Sequence, residues 1–200
     1  MMKVIGLTGG IGSGKSTVSW LLGEMGAVLI DADKVGHEAY QPGTETWKEL
    51  VAAFGDEIVA PDRTIDRKKL GAIVFAAPEE LTRLNRIVHP RMFNMMKDRI
   101  EKYRQQGVKV VVIEAAILFE ANWTSLVDEV WVTVASEATV VQRAIERTGL
   151  PEDQIRARIR SQLSNEERIK KADVVITNDG DVKELRVKVE ALWKKLQEQL

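Results

Sequence analysis

The stretch Val4-Ile5-Gly6-Leu7-Thr8-Gly9-Gly10-Ile11-Gly12-Ser13-Gly14-Lys15-Ser16-Thr17 decides how the rest of the chain is read. It opens on an apolar run of strand type, Val4–Leu7, and a helical pattern follows over Val18–Met25. Between them, Gly9 to Ser16 satisfies G-x-x-x-x-G-K-[ST] at every position. Phosphate chemistry needs that order. Glycines let the backbone turn its N–H groups onto a polyphosphate, and the helix that follows points the positive end of its dipole at the same charge. Lys15 reaches β- and γ-phosphates, the Ser16 hydroxyl suits Mg2+, and Thr17 adds a hydroxyl near the first helical turn. A dinucleotide fingerprint is excluded, because G-x-G-x-x-G from Gly10 requires glycine where Lys15 stands. A glycine-rich turn that binds nothing is the rival reading, and the strand-to-helix context speaks against it.

Outward from the loop, four more apolar runs follow: Val28–Ile30, Val110–Ile113, Val130–Val134 and Val174–Ile176. They are rich in β-branched residues, apolar nearly throughout, and separated by helical patterns, which is the signature of buried parallel strands. The expected fold is α/β: a P-loop NTPase core with a five-stranded parallel sheet and helices on both faces. The last helix, from Val182 to Leu200, sets Leu185, Val189, Leu192 and Leu196 on one stripe.

Two stretches depart from this plan. About eighty residues separate the second and third runs, against the dozen or so of a minimal crossover. Helical patterns such as Trp47–Phe54 and Glu79–Val88 mark them as an inserted helical substrate domain, about 38–107. The second stretch, about 140–171, carries Arg143, Arg147, Arg156, Arg158, Arg160, Arg168, Lys170 and Lys171 and has the character of a helical lid. Residues 1–37, 108–139 and 172–200 are left as the core of a single domain.

Composition narrows the partners. Lys and Arg number 29 against 30 Asp and Glu, so no global field draws in nucleic acid or an anionic membrane. Cysteine is absent, which removes disulfides, thiolate metal sites and a Cys nucleophile. The run Val4–Leu7 is too short for a signal-peptide core, and Val108–Phe119 is interrupted by Lys109 and Glu114 and too short for a bilayer. A soluble cytoplasmic protein is expected.

A phosphate loop alone does not separate kinases, GTPases and motors. The second apolar run ends in Asp31-Ala32-Asp33, at the strand edge where open α/β sheets bind ligands. In an extended chain both carboxylates share one side, so one can orient an acceptor hydroxyl while the other orders water on Mg2+ or caps the next helix. Glu114 closes the third run and suits Mg2+ through water, a helix cap or a basic partner equally well. Arg143 and Arg147 share a helical face, and a guanidinium forks onto phosphate oxygens. His89 precedes Pro90, which is read as the first residue of a helix; the histidine either meets substrate or packs. His37 carries little signal, and the five tryptophans are scattered.

Several motifs agree on one family. Leu7-Thr8-Gly9-Gly10-Ile11-Gly12-Ser13-Gly14-Lys15-Ser16-Thr17 followed by Asp31-Ala32-Asp33 resembles dephospho-coenzyme A kinase. So do Gln41-Pro42-Gly43, Leu84 to Pro90, Leu118-Phe119-Glu120, Gln142-Arg143, and Ala172-Asp173 through Asn178-Asp179-Gly180. Alanine at 116 departs from the family's usual proline. The resemblance implies transfer of the ATP γ-phosphate to the ribose 3′-hydroxyl of dephospho-coenzyme A, with Mg2+ as cofactor. It implies catalytic roles for Lys15, Asp33 and Arg143, and ATP contacts from Gly10 to Thr17 and from Arg143, Asn178 and Gly180. It implies acceptor contacts at Thr8, Asp33, His89, Arg91 and Leu118, with the insertion as the acceptor-binding domain and a sheet ordered 2-3-1-4-5. The nearest rival is another P-loop nucleoside, nucleotide or small-metabolite kinase. A GTP-dependent switch or binding module is less suited: the strand Val130–Val134 continues as Ala135-Ser136-Glu137, with no N-K-x-D guanine motif.

Overall fold

The computed structural model describes every residue from Met1 to Leu200. Its chain falls into two compact units, Met1–Ile30 with Lys102–Leu200, and Asp31–Glu101.

The first unit is built on a sheet of β1 (Lys3–Gly9), β2 (Val28–Asp31), β3 (Val110–Glu114), β4 (Glu129–Val134) and β5 (Val174–Thr177). The strands stand in the order β2-β3-β1-β4-β5, the order the resemblance implied, and the central pairs are parallel. Helices α1 (Lys15–Glu24) and α9 (Val182–Gln197) cover one face. There Ile5, Leu7, Val110, Val112 and Trp131 meet Val18, Leu21 and Leu22 of α1 and Leu185, Val189 and Leu196 of α9. The alternate residues Val4, Val111, Ile113, Val130 and Val132 are buried on the opposite side. A strand covered on both faces has no polar side to show, which is why these runs are almost continuously apolar.

Register does the positioning. Leu7 pairs with Glu114, and Gly9 with Thr133, so the carboxyl ends of β1, β3 and β4 close the sheet at the loop Gly9–Ser16. Gly9 is needed there: a Cβ would lie 2.5 Å from the Thr133 carbonyl oxygen and 2.6 Å from Ser13 Oγ. The same unit carries α6 (Glu137–Thr148), α7 (Glu152–Arg160) and α8 (Asn165–Lys170) in the arginine-rich segment.

The second unit is helical, with α2 (Ala32–Ala39), α3 (Glu45–Phe54), α4 (Arg67–Val74) and most of α5 (Pro78–Gln105). Two expectations are corrected here. Pro90 does not start a helix; it lies inside the 28-residue α5. A proline there leaves the Arg86 carbonyl without its N–H partner, but Arg86 and Pro90 are both exposed, on the solvent side of the helix. The opposite stripe, Val88, Met92, Met96 and Ile100, is buried and carries the helix through. Nor does the chain stay extended from Asp31 to Asp33, because α2 begins at Ala32. Asp31 caps it, accepting the N–H groups of Asp33 at 3.0 Å and Lys34 at 3.2 Å.

Candidate active site

At the phosphate loop, α1 begins behind Gly14, whose φ of 91° is in the left-handed region that favours glycine. A side chain at that position would also meet Asn178, since a Cβ would lie 2.0 Å from its Nδ2. Helices α3, α6 and α9 start under the side chains of Thr44, Ser136 and Asp181, but α1 has no side-chain cap and no acid in its first turn. Its leading amides and its positive end are thus kept for an anionic ligand.

Lys15 and Ser16 leave this turn towards Glu114. Lys15 Nζ donates to Glu114 Oε1 at 2.6 Å, and Ser16 Oγ donates to the same oxygen at 2.7 Å. Burial pushes the Glu114 carboxyl up, but the Lys15 and Ser16 hydrogen bonds, the Lys15 charge and a Ser19 hydrogen bond outweigh it and hold the group below its ordinary value. Glu114 therefore contributes stability that is fully present above its unfolded value near 4.5 and is lost as pH falls through the depressed folded value. In chelator, the difference in denaturant midpoint between wild type and Glu114→Gln is expected to be steady near neutrality and to close in acid. A difference that persists unchanged at low pH would assign it to packing instead.

Arg143 of α6 forks onto backbone carbonyls. Its Nη1 donates to the Asn178 carbonyl at 2.7 Å and its Nη2 to the Gly180 carbonyl at 2.9 Å, which ties α6 to the turn after β5. Asn178 Nδ2 in turn donates to the Ser13 carbonyl at 2.8 Å, and this side chain is buried. Asp179 Oδ1 accepts the Ser136 N–H at 2.7 Å and the Thr139 hydroxyl at 3.0 Å, pinning the start of α6. The turn after β5 thus joins the phosphate loop to α6. Asp179 had no role assigned from sequence, although it lies between Asn178 and Gly180; its partners at 136 and 139 are about forty residues away and give no signal until β5 is placed beside β4.

Thr8 and Leu118 are fully buried, which closes both side chains to an acceptor. Thr8 Oγ1 instead donates to the Ala116 carbonyl at 3.3 Å, steadying the turn where alanine replaces the family's proline. Glu120, after Leu118-Phe119, faces Arg168 of α8 at 3.8 Å.

Asp33, His89 and Arg91 belong to the second unit. Asp33 is exposed in the first turn of α2, and His89 is half-buried in α5, where burial lowers its pKa. Gly36 of α2 packs on Met92 of α5, and Glu38 pairs with Arg99. A cavity of about 180 Å3 in this unit is lined by His37, Tyr40, Gln41, Pro42, Thr64, Ile65 and Arg67. Burial raises the Tyr40 pKa, Arg67 opposes this, and the Asp33 charge adds to it, so Asp33 lies within electrostatic reach of this cavity wall.

Comparison with known proteins decides the family. A family model described as dephospho-CoA kinase matches residues 3–184. The dephospho-CoA kinase of Geobacter sulfurreducens is 45% identical over 194 residues, covering 97% of this chain and 98% of the relative. This chain belongs to the dephospho-CoA kinase family. A solved Thermus thermophilus structure superposes with a TM-score of 0.81 at 32% identity, covering 98% of each chain. The Campylobacter jejuni dephospho-CoA kinase, 24% identical and covering 100% of this chain and 99% of its own, has the same fold with a TM-score of 0.77. In this dephospho-CoA kinase the loop, Lys15, Ser16 and Glu114 all stand in one unit.

Proposed function

We propose that this chain transfers the γ-phosphate of ATP to the ribose 3′-hydroxyl of dephospho-CoA, giving CoA and ADP. The observation that carries the reading is the convergence of Lys15 and Ser16 on Glu114 beneath an uncapped helix, in a chain matched to the family over nearly its whole length.

Phosphoryl transfer passes through a loose transition state, so the protein's task is positioning and charge stabilisation. The amides from Gly10 to Thr17 hold the phosphate chain, and Lys15 moves from Glu114 to the β- and γ-oxygens. Arg143 serves the donor by holding the Asn178 and Gly180 carbonyls, the residues we assign to the adenine end. Asp33 receives the acceptor: its carboxylate accepts a hydrogen bond from the 3′-hydroxyl. As the new O–P bond forms and the bond from Pγ to the ADP oxygen breaks, the hydroxyl proton passes to Asp33. We assign His89, Arg91 and the insertion to binding the rest of the acceptor.

The donor set suits a divalent metal with few protein ligands. One hydroxyl, Ser16 Oγ, stands beside one carboxylate, Glu114, and no cluster of three or more His, Cys, Asp or Glu forms a protein cage. That is the usual provision for Mg2+, which keeps waters and substrate phosphates as ligands. Ser16 with Glu114 would hold it, whereas Asp31 is engaged as the cap of α2. Held by those two residues, Mg2+ would supply charge neutralisation for the phosphate oxygens. No helix is long and apolar enough to cross a membrane, and we place the activity in the cytoplasm, where ATP is supplied.

The test is incubation with ATP, Mg2+ and dephospho-CoA, following ADP and CoA by mass beside nucleosides and nucleoside monophosphates. Stoichiometric CoA selective over that panel supports the reading; ADP formed only with another acceptor overturns it. Arg143→Ala is expected to weaken ATP binding about tenfold or more, the effect of losing hydrogen bonds from a charged donor. An unchanged ATP affinity in that variant would remove Arg143 from the donor site.

A further inference from the structure

Two side chains with no part in the scheme above meet the phosphate loop from the segment after α7. Gln162 Oε1 accepts the Ile11 N–H at 3.0 Å, joining residues 151 apart in sequence. Beside it lies Arg168, which is only 2% exposed. Its Nη1 donates to the Leu163 carbonyl, its Nη2 lies 3.8 Å from Glu120, and its Nε has no partner. A Cβ on Gly10 would be 3.4 Å from Arg168 Nη1 and 3.5 Å from Gln162 Oε1, so both groups reach the same piece of backbone. A cavity of about 520 Å3 opens at this point, with Gly10, Ile11, Ser13, Gln162 and Arg168 in its wall.

The chemistry of these groups is that of an oxyanion subsite. Arg168 is a buried cation whose nearest carboxylate stands at 3.8 Å, beyond the roughly 2.7–2.9 Å of a charged hydrogen bond. A buried charge so loosely paired favours a further anionic partner. Ile11 is the third residue of the loop motif, and amides of such loops serve phosphate oxygens. The Gln162 side chain has one acceptor and two donor positions. Its oxygen matches the Ile11 N–H, and a turn of the amide offers N–H groups to a phosphoryl oxygen. We propose that Gln162, backed by Arg168, binds the terminal phosphate of the donor at Gly10-Ile11. The inference rests on the kinase reading and adds to it the lid contact that distinguishes a triphosphate from a diphosphate. Gln162 touches the γ-phosphoryl oxygens, while Arg168 supplies positive potential behind it.

Gln162→Glu separates this role from that of a structural latch. Glutamate still accepts the Ile11 N–H, and the side chain at 162 is exposed, so the fold does not depend on it. A carboxylate facing the γ-phosphate repels it. Equilibrium titration of the full chain with ATP and with ADP, each with Mg2+, is expected to show ATP weakened about tenfold or more and ADP less than about threefold. Gln162→Leu, which removes the polar groups without adding charge, is expected to shift the same ratio by about threefold. An ATP-to-ADP affinity ratio equal to that of wild type in Gln162→Glu overturns the proposal, and so does equal weakening of both nucleotides. Wild-type turnover with dephospho-CoA is measured in parallel. Normal turnover beside an unchanged ratio defeats the Gln162 assignment alone, whereas a wild type that binds neither nucleotide defeats the kinase reading as well.

Discussion

Asp33→Asn is expected to lower kcat for CoA formation by about a hundredfold to ten-thousandfold, the range for loss of a positioned general base, while ATP binds as in wild type. The substitution keeps the size of the side chain and its place in the exposed first turn of α2, so little else changes. It removes the charge that draws in the acceptor hydroxyl and the oxygen that takes its proton. The acceptor alcohol is a far weaker acid than a carboxylic acid, so that proton moves late, as the O–P bond forms. Asparagine can orient the hydroxyl but cannot accept its proton, and the defect falls on kcat. Steady-state rates with both substrates saturating, beside an ATP titration, make the measurement. A variant retaining more than about a tenth of wild-type kcat would take Asp33 out of the proton path.

Lys15→Met is expected to lower kcat/KM for ATP by about a thousandfold, because the charge next to the transferring phosphoryl group is lost. It has a second effect that Asp33→Asn lacks. Lys15 and Glu114 are each only 15% exposed at the side chain and meet at 2.6 Å, so methionine leaves a mostly buried carboxylate with no cation beside it and only the Ser16 and Ser19 hydroxyls as donors. Removing one member of such a pair destabilises the fold. Lys15→Met should therefore melt at a lower temperature than wild type, and adding Glu114→Gln should recover most of the loss without recovering activity. Recovery of activity in the double variant would mean that Lys15 acts only by neutralising Glu114.

The parts of the molecule that could be read beforehand are those where a short stretch answers to one constraint. Gly9 to Ser16 is such a stretch, because close backbone approach and left-handed turns admit few residues. The five strands are another, since cover on both faces leaves only apolar side chains. The misreadings arose where local preference met a larger context. Pro90 favours a helix start, yet the stripe Val88, Met92, Met96 and Ile100 outweighs one missing hydrogen bond on the wet side. Asp31 and Asp33 fit an extended pair or a cap, and only the backbone distinguishes them. Arg143 shows the third kind of limit: a lid arginine can be named from sequence, but its partners at 178 and 180 are set by the packing of β5 beside β4. Gln162 and Arg168 were hidden for the same reason, since one side chain meets a backbone amide 151 residues away.

The division of the chain has a consequence for how such enzymes change. The second unit is one uninterrupted segment, Asp31 to Glu101, entered once and left once, and the loop, its lysine and helices α6 to α8 lie wholly outside it. With the acceptor assigned to that segment, as proposed above, a gene encoding this plan holds its acceptor preference in a single block of codons. Recombination at two points can exchange that block, and selection can then try a new alcohol on an inherited ATP machine.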